Sequence, residues 1–192
     1  IIVTVTAKEG KINMWNGYVL NATGYYGEFD TGGLNFTTAG NTNSTISDMA
    51  STNSAIAAGA YASKVTFTNI LSATYSYSSY VAKGNLVPFS SRGPTTDNRI
   101  KPDITAPGLS LASSVNSFDV SFQSGGSNYL YVISNKFLNG RTYAYGMMSG
   151  TSMASPCVTG IIGMMLQANP SLTPAAIRNI LQQTAIKDSY TG

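Results

Sequence analysis

The spacing of apolar residues along the chain changes from a period of two to a helical period near residue 150. At the start, Ile1, Val3 and Val5 alternate with polar neighbours, Lys8-Glu9-Gly10-Lys11 interrupts, and Ile12-Asn13-Met14-Trp15 resumes the alternation. Such alternation predicts half-buried strands. Tyr18-Val19-Leu20 reads as one more, so residues 1 to about 38 predict β-structure with Trp15 as the anchor of a small sheet. Gly, Thr and Asn dominate from Gly24 to Asn43, which predicts loop. Between Ser54 and Phe67 runs a short stretch of small apolar residues, suited to a buried strand of a parallel sheet covered by helices. Residues 71–86, rich in Ser and Tyr, predict an exposed segment. Val87-Pro88-Phe89 then reads as a strand entering the turn Ser90-Ser91-Arg92-Gly93-Pro94, and Lys101 to Gly108 as an extended segment closed by Pro107-Gly108.

From Leu109 to Met148 the pattern stays β-like or looped. It holds a strand over Tyr129-Leu130-Tyr131-Val132-Ile133 and a hairpin signal at Asn139-Gly140 before Thr142-Tyr143-Ala144-Tyr145. Over Ser152–Ala168, Val158, Ile161, Ile162, Met165 and Leu166 recur at helical spacing. Gly160 and Gly163 weaken that helix intrinsically, which predicts a central, buried helix packed too closely for side chains, with Met164 and Met165 as core filler. Thr173 as N-cap and Pro174 at the first position begin a second helix, with Ile177, Ile180 and Leu181 on its apolar face. The fold class predicted is α/β: part of a parallel sheet with helices packed on it, plus a β-rich N-terminal subdomain.

Composition narrows the functions. At 192 residues and 43% hydrophobic the chain builds one domain, or one with a small appendage. Charged residues are 10% against a norm of about 25%, which suits an extracellular protein. The net charge is +3 and the 11 Lys and Arg are scattered singly, so no basic stripe for nucleic acid forms. Cys157 is the one cysteine, which excludes an internal disulfide framework. No apolar run approaches 18 residues, so no membrane span is expected. The first residues lack the charged front of a signal peptide and read as a chain entered in mid-fold.

The candidate chemistry lies in Gly150-Thr151-Ser152-Met153-Ala154-Ser155-Pro156-Cys157. A serine at the mouth of a helix, flanked by small residues, leaves a hydroxyl open to substrate with helix N–H groups behind it. A small-residue helix start capped by Ser or Thr gives the same letters without chemistry. A serine nucleophile also needs a base, and the chain contains no histidine.

Gly150 to Pro156 resembles the nucleophile motif of the subtilisin-like serine proteases, the subtilases. Upstream, Phe89 to Pro94, Lys101-Pro102-Asp103-Ile104 and Ala106-Pro107-Gly108 are similar to that family's preceding segments, and so is Ala55 to Tyr61. Ser171 to Leu181 with Thr184-Ala185 is similar to its following helix, so the resemblance covers residues from about 45 to 188. It implies an endopeptidase acting on polypeptides through an Asp, a His and a Ser in that chain order, with Ser152 as nucleophile and its own N–H as one oxyanion donor. The Asp and His belong to segments before everything present. The chain therefore reads as the C-terminal part of a catalytic domain, inactive alone and from a secreted protein: a β-rich insertion over 1–44 and the catalytic portion over 45–192.

Asn41, in Ala39-Gly40-Asn41, has the letters of the family's oxyanion asparagine. The polar Leu34-Asn35-Phe36-Thr37-Thr38 before it instead favours reading 1–40 as an insertion after the true one. Three departures stand out: Cys157 where a histidine often follows Ser-Pro, Met49 in place of a proline in Asp48-Met49-Ala50-Ser51, and a lengthened Gly108–Gly150 connection. Cys157, five residues after Ser152, points away from it and reads as a small buried apolar residue.

No cofactor is predicted. Asp97, Asp103, Asp119 and Asp188 are too dispersed for a calcium cluster, though calcium could bind the parent domain. Asn21, Asn35 and Asn43 begin glycosylation sequons that chance explains in so Asn- and Thr-rich a chain. A truncated sheet leaves an open edge, which predicts self-association. The competing reading is a non-catalytic binding or structural module on a degenerate subtilase fold.

Overall fold

The computed structural model describes residues 4–6, 8–10, 12–15 and 30–187. The chain divides into two units, residues 1–43 and 44–192. In the first unit the described residues are irregular backbone, bends and turns, and none of them is in a strand. Leu34 N–H donates to Thr31 O at 2.9 Å, and the Thr37 hydroxyl donates to Thr31 O and Leu34 O at 2.7 and 2.8 Å. Thr4–Thr6, the described part of the strand predicted from Ile1, and Ile12–Trp15 are not in strands, and Trp15, expected to anchor a sheet, is 53% exposed. Alternation alone does not make a strand. It needs a partner to take the ladder bonds and a layer to cover the apolar face. Ile1 to Val3, Tyr18-Val19-Leu20 and the Asn21 sequon lie outside the described residues.

The second unit is built on β1 (Ala58–Tyr61) and β4 (Ile104–Pro107), paired in parallel with Ala58 opposite Ile104 and Tyr61 opposite Pro107. Close neighbours favour small residues on β1: a Cβ on Gly59 would stand 3.1 Å from Pro102 Cγ and 3.2 Å from Ser90 Oγ, tighter than ordinary contact. Between them the short hairpin β2 (Thr66–Thr68) and β3 (Thr74–Ser76) is inserted, its second strand falling within the segment 71–86 expected to be exposed. Its neighbour Val81 nevertheless joins the core, with Ala60, Ala62, Val87, Ala106 and Leu109. Val87-Pro88-Phe89 is a turn rather than the expected strand, closed by Ser90 N–H on Val87 O at 2.9 Å. Pairing with β1 here is the Leu86–Tyr61 bridge, with Val87 N–H on Ala60 O at 3.0 Å, and Pro88 has no N–H to extend it.

After β4, β5 (Leu111–Ser114), β6 (Val132–Leu138) and β7 (Arg141–Met148) form an antiparallel sheet in the order β5-β7-β6. Asn139 and Gly140 take φ of 50° and 75°, the paired positive values of a type I′ turn. Tyr129–Tyr131, expected to begin the strand, is instead a 3-10 turn feeding it, and the strand itself starts at Val132, which is fully buried.

Two helices follow, α1 (Thr151–Ala168) and α2 (Pro174–Thr184). Thr173 caps α2 through its hydroxyl, which accepts from Ala176 N–H at 3.2 Å, and Ile177 and Leu181 bury against the core. The expectation of a buried, central α1 is corrected. Ala154 and Val158 are its buried residues, with Ile162 and Met165 partly covered, while Met164 is 63% exposed. At 100° per residue Gly163 lies opposite Ala154, and neither Gly160 nor Gly163 has an atom within 4 Å of where a Cβ would stand. These glycines answer to no close packing among the described residues.

Candidate active site

The end of β4 and the start of α1 are fastened to each other by backbone. Gly108, just past β4, donates its N–H to Tyr61 O at 3.0 Å and accepts from Gly150 N–H at 2.7 Å. A Cβ on Gly108 would stand 2.4 Å from Ala60 Cβ and 3.0 Å from Gly150 O, so only glycine allows this approach. Gly150 is the residue before the helix, at φ 152° and ψ 162°, a region that side chains avoid. The Pro107-Gly108 signal was legible in the sequence; its contact with Gly150 was not, because the two are 42 positions apart.

Ser152 is the second residue of α1 and is exposed. It lies 200° around the helix from buried Ala154, so the packing that holds the helix turns the serine outward. No side chain caps α1, and Met153 N–H bonds Gly150 O at 3.0 Å, which leaves the N–H groups of Thr151 and Ser152 without an acceptor among the described residues. These open donors sit at the positive end of an 18-residue helix, beside the serine hydroxyl. A small recess of about 100 Å³, lined by Ile46, Ala50, Ala57, Ser91, Pro102 and Thr151, adjoins the same helix start. Cys157 is half-buried and donates its thiol to Met153 O at 3.4 Å, along the helix rather than toward Ser152.

Three of the four carboxylates considered as cation ligands, Asp97, Asp103 and Asp119, are held by protein groups. Asp97 pairs with Arg99 at 2.7 Å; that guanidinium, helped by the Thr95 hydroxyl, holds its carboxyl down at about 2. Asp119 accepts from Ser121 N–H at 2.9 Å, and its pKa is lowered by Ser121. Asp103, buried, receives Lys101 Nζ at 2.6 Å and Ala57 N–H at 2.7 Å on Oδ2. Arg178 Nε of α2 lies 3.0 Å from its Oδ1, an ion-pair contact without hydrogen-bond alignment. Lys101 and Arg178 also donate to Ala55 O, at 2.6 and 3.0 Å. This cluster, which ties β4, the approach to β1 and α2 together, was missed in the sequence. The signal was there: Lys-Pro-Asp and a lone helical arginine in a chain with few charges. No three His, Cys, Asp or Glu residues gather among the described residues, and Asp188 lies outside them. Asn41 belongs to the first unit, where its Oδ1 accepts from Asn43 N–H at 2.8 Å.

Comparison with known proteins gives one family. The subtilase family model (Peptidase_S8) matches residues 5–192. Serine protease AprX of Bacillus subtilis (strain 168) is 40% identical over 99 residues, 49% of this chain and 19% of that protein. Subtilisin-like protease SBT3.13 of Arabidopsis thaliana is 33% identical over 113 residues, 58% of this chain and 12% of that protein. Minor extracellular protease Vpr of Bacillus subtilis (strain 168) is 36% identical over 104 residues, 53% of this chain and 10% of that protein. The matched stretches thus span 10% to 19% of these relatives' lengths.

Proposed function

The chain belongs to the subtilase family, and from that premise we propose that it is part of the catalytic domain of an extracellular serine endopeptidase with Ser152 as nucleophile. The observation that carries this is the helix start. Ser152 is exposed on the first turn of α1, its backbone anchored through Gly150 and Gly108, with two uncommitted N–H groups beside it. In acyl transfer the serine oxygen attacks the carbonyl carbon, its proton leaves to a base, and the carbonyl oxygen becomes negative. An oxyanion at this helix end meets N–H donors already oriented, so little reorganisation is needed as charge develops.

The proton is the missing half. With no histidine in 192 residues, the base that takes it comes from a segment outside this sequence, as does the acid residue that orients that base. By itself the chain is an inactive holder of the nucleophile, because triad members act as a unit. Its low charge and its similarity to a relative named as an extracellular protease support the location outside the cell.

Active-site labelling with a fluorophosphonate tests the reading. The 192-residue chain is expected to remain unlabelled, and the gene product containing an Asp- and His-bearing segment to label on Ser152 and lose the label in Ser152→Ala. Labelling of that product at another residue, or none, would favour a non-catalytic module on the same fold.

A further inference from the structure

A second cavity, of about 280 Å³, opens where the β2–β3 hairpin, the segment before β6 and the end of β7 meet. Its walls are aromatic and thioether groups: Phe67, Tyr77, Phe122, Tyr131, Met147 and Met148. Those walls are held in place. Phe67 stacks on Tyr75 with ring centroids 5.1 Å apart, and Tyr75 tilts against Tyr131 at 6.3 Å. A Cβ on Gly146 would meet Phe122 Cε1 at 3.2 Å, so glycine there lets that ring lie against β7.

The same cavity carries polar groups with unused capacity. Ser110 lines it, is 4% exposed, and its Oγ has no hydrogen-bond partner among the described residues. A buried hydroxyl left so is uncommon and unfavourable. Ser110 also holds φ of 53°, a conformation few non-glycine residues adopt away from functional or strained positions. Ser149 Oγ accepts from Ser110 N–H at 3.0 Å, which leaves its own proton to give. Asn128 Nδ2 donates to Ser121 Oγ at 3.1 Å, which leaves Oδ1 to accept.

We propose that this cavity binds a phenolic ring, as presented by a tyrosine side chain, with the ring among Phe67, Phe122 and the two methionines and its hydroxyl toward Ser110, Ser149 and Asn128. The volume falls just below the roughly 300–1,000 Å³ of drug-sized pockets and fits one ring rather than a larger ligand. Thioethers and ring edges favour an aromatic guest over an aliphatic one. An unsubstituted ring would leave the serine and asparagine groups unpaired. A phenol both gives and takes a hydrogen bond, as they require. Ser149 precedes Ser152 by three residues, a reach of at most about 11 Å, so a polypeptide crossing Ser152 could place a side chain here. That last step rests on Ser152 being the nucleophile; the ring site does not.

Methyl-detected NMR titration of the 192-residue chain tests it, with N-acetyl-tyrosinamide, N-acetyl-phenylalaninamide, N-acetyl-leucinamide and p-cresol as probes. Shifts are expected at the Met147 and Met148 methyls, with the tyrosine amide bound roughly fivefold tighter than the phenylalanine amide, the worth of one neutral hydrogen bond. Ser110→Gly, which suits the φ of 53° and removes the hydroxyl, is expected to shrink that preference. Tighter binding of the tyrosine amide than of p-cresol assigns the ring to a polypeptide, and the reverse assigns it to a free phenol. Ser152→Ala binds as the parent does, which keeps this result apart from the nucleophile reading. The proposal is overturned if the two methyls do not shift, if all three amides bind alike, or if Ser110→Gly folds and keeps the full preference.

Discussion

Gly108 decides more about the candidate active site than any charged residue near it. Its hydrogen atom in place of a side chain lets β1, β4 and the residue before α1 meet at van der Waals distance. Gly108→Ala forces apart Ala60 and the Gly150 carbonyl, neither of which is a flexible tip. We expect about 1–3 kcal/mol of lost stability, as for overpacking elsewhere, read from urea denaturation. In the full gene product the same change is expected to slow fluorophosphonate labelling at Ser152 beyond what the stability loss explains. An Ala variant with unchanged stability and labelling would mean that the fastening does not matter. At this scale the sequence is candid about backbone chemistry. Asn139-Gly140 and Thr173-Pro174 did what their local conformational preferences require. It is silent about Trp15 and about Gly160 and Gly163, whose surroundings depend on what other parts of the chain bring to them.

Among the elements, α2 shows how a small helix is secured. Its apolar side buries Ile177 and Leu181, while Arg178 reaches across to Asp103 and to the carbonyls of Asn53 and Ala55. The side chains of Asp103 and Lys101 are both 3% exposed, so neither has water to fall back on. Asp103→Asn removes the anion but leaves both cations in place. Breaking a buried pair in this way typically costs about 3–5 kcal/mol, and a fall of that size in urea-derived stability is expected; a loss under 1 kcal/mol, roughly a surface pair's worth, would show that water reaches the cluster. Helix α2 was legible in the sequence because period, cap and proline agree, and α1 through its apolar period. Short strands were less so. β1 was found within a longer apolar run, whereas the strand expected at Val87-Pro88-Phe89 stops after one bond to β1, Val87 N–H on Ala60 O, because Pro88 has no N–H to continue it. The open serine was legible from its place at the mouth of a helix; the recess at Thr151 and the aromatic-lined cavity were not, because their walls come from stretches far apart in sequence.

For the whole molecule, the apolar surface left uncovered is considerable. Ile161 and Met164 on α1 are 43% and 63% exposed, and β4 pairs on one edge only among the described residues. Open edges and apolar faces of this kind favour association. Light scattering at micromolar concentration is expected to return a mass above that of one chain, and Met164→Lys to lower it; a monomer throughout would count against the expectation. The Asp103 cluster has a wider effect as well. One carboxylate is shared by the approach to β1, by the segment entering β4 and by α2. To release any one of these strips a buried charge of its partners, so none can open cheaply alone. Amide protons in α2 and in β1 then exchange with solvent at a common opening free energy, as one cooperative unit, while the β6–β7 hairpin, which holds no part of that carboxylate, is free to exchange on its own schedule.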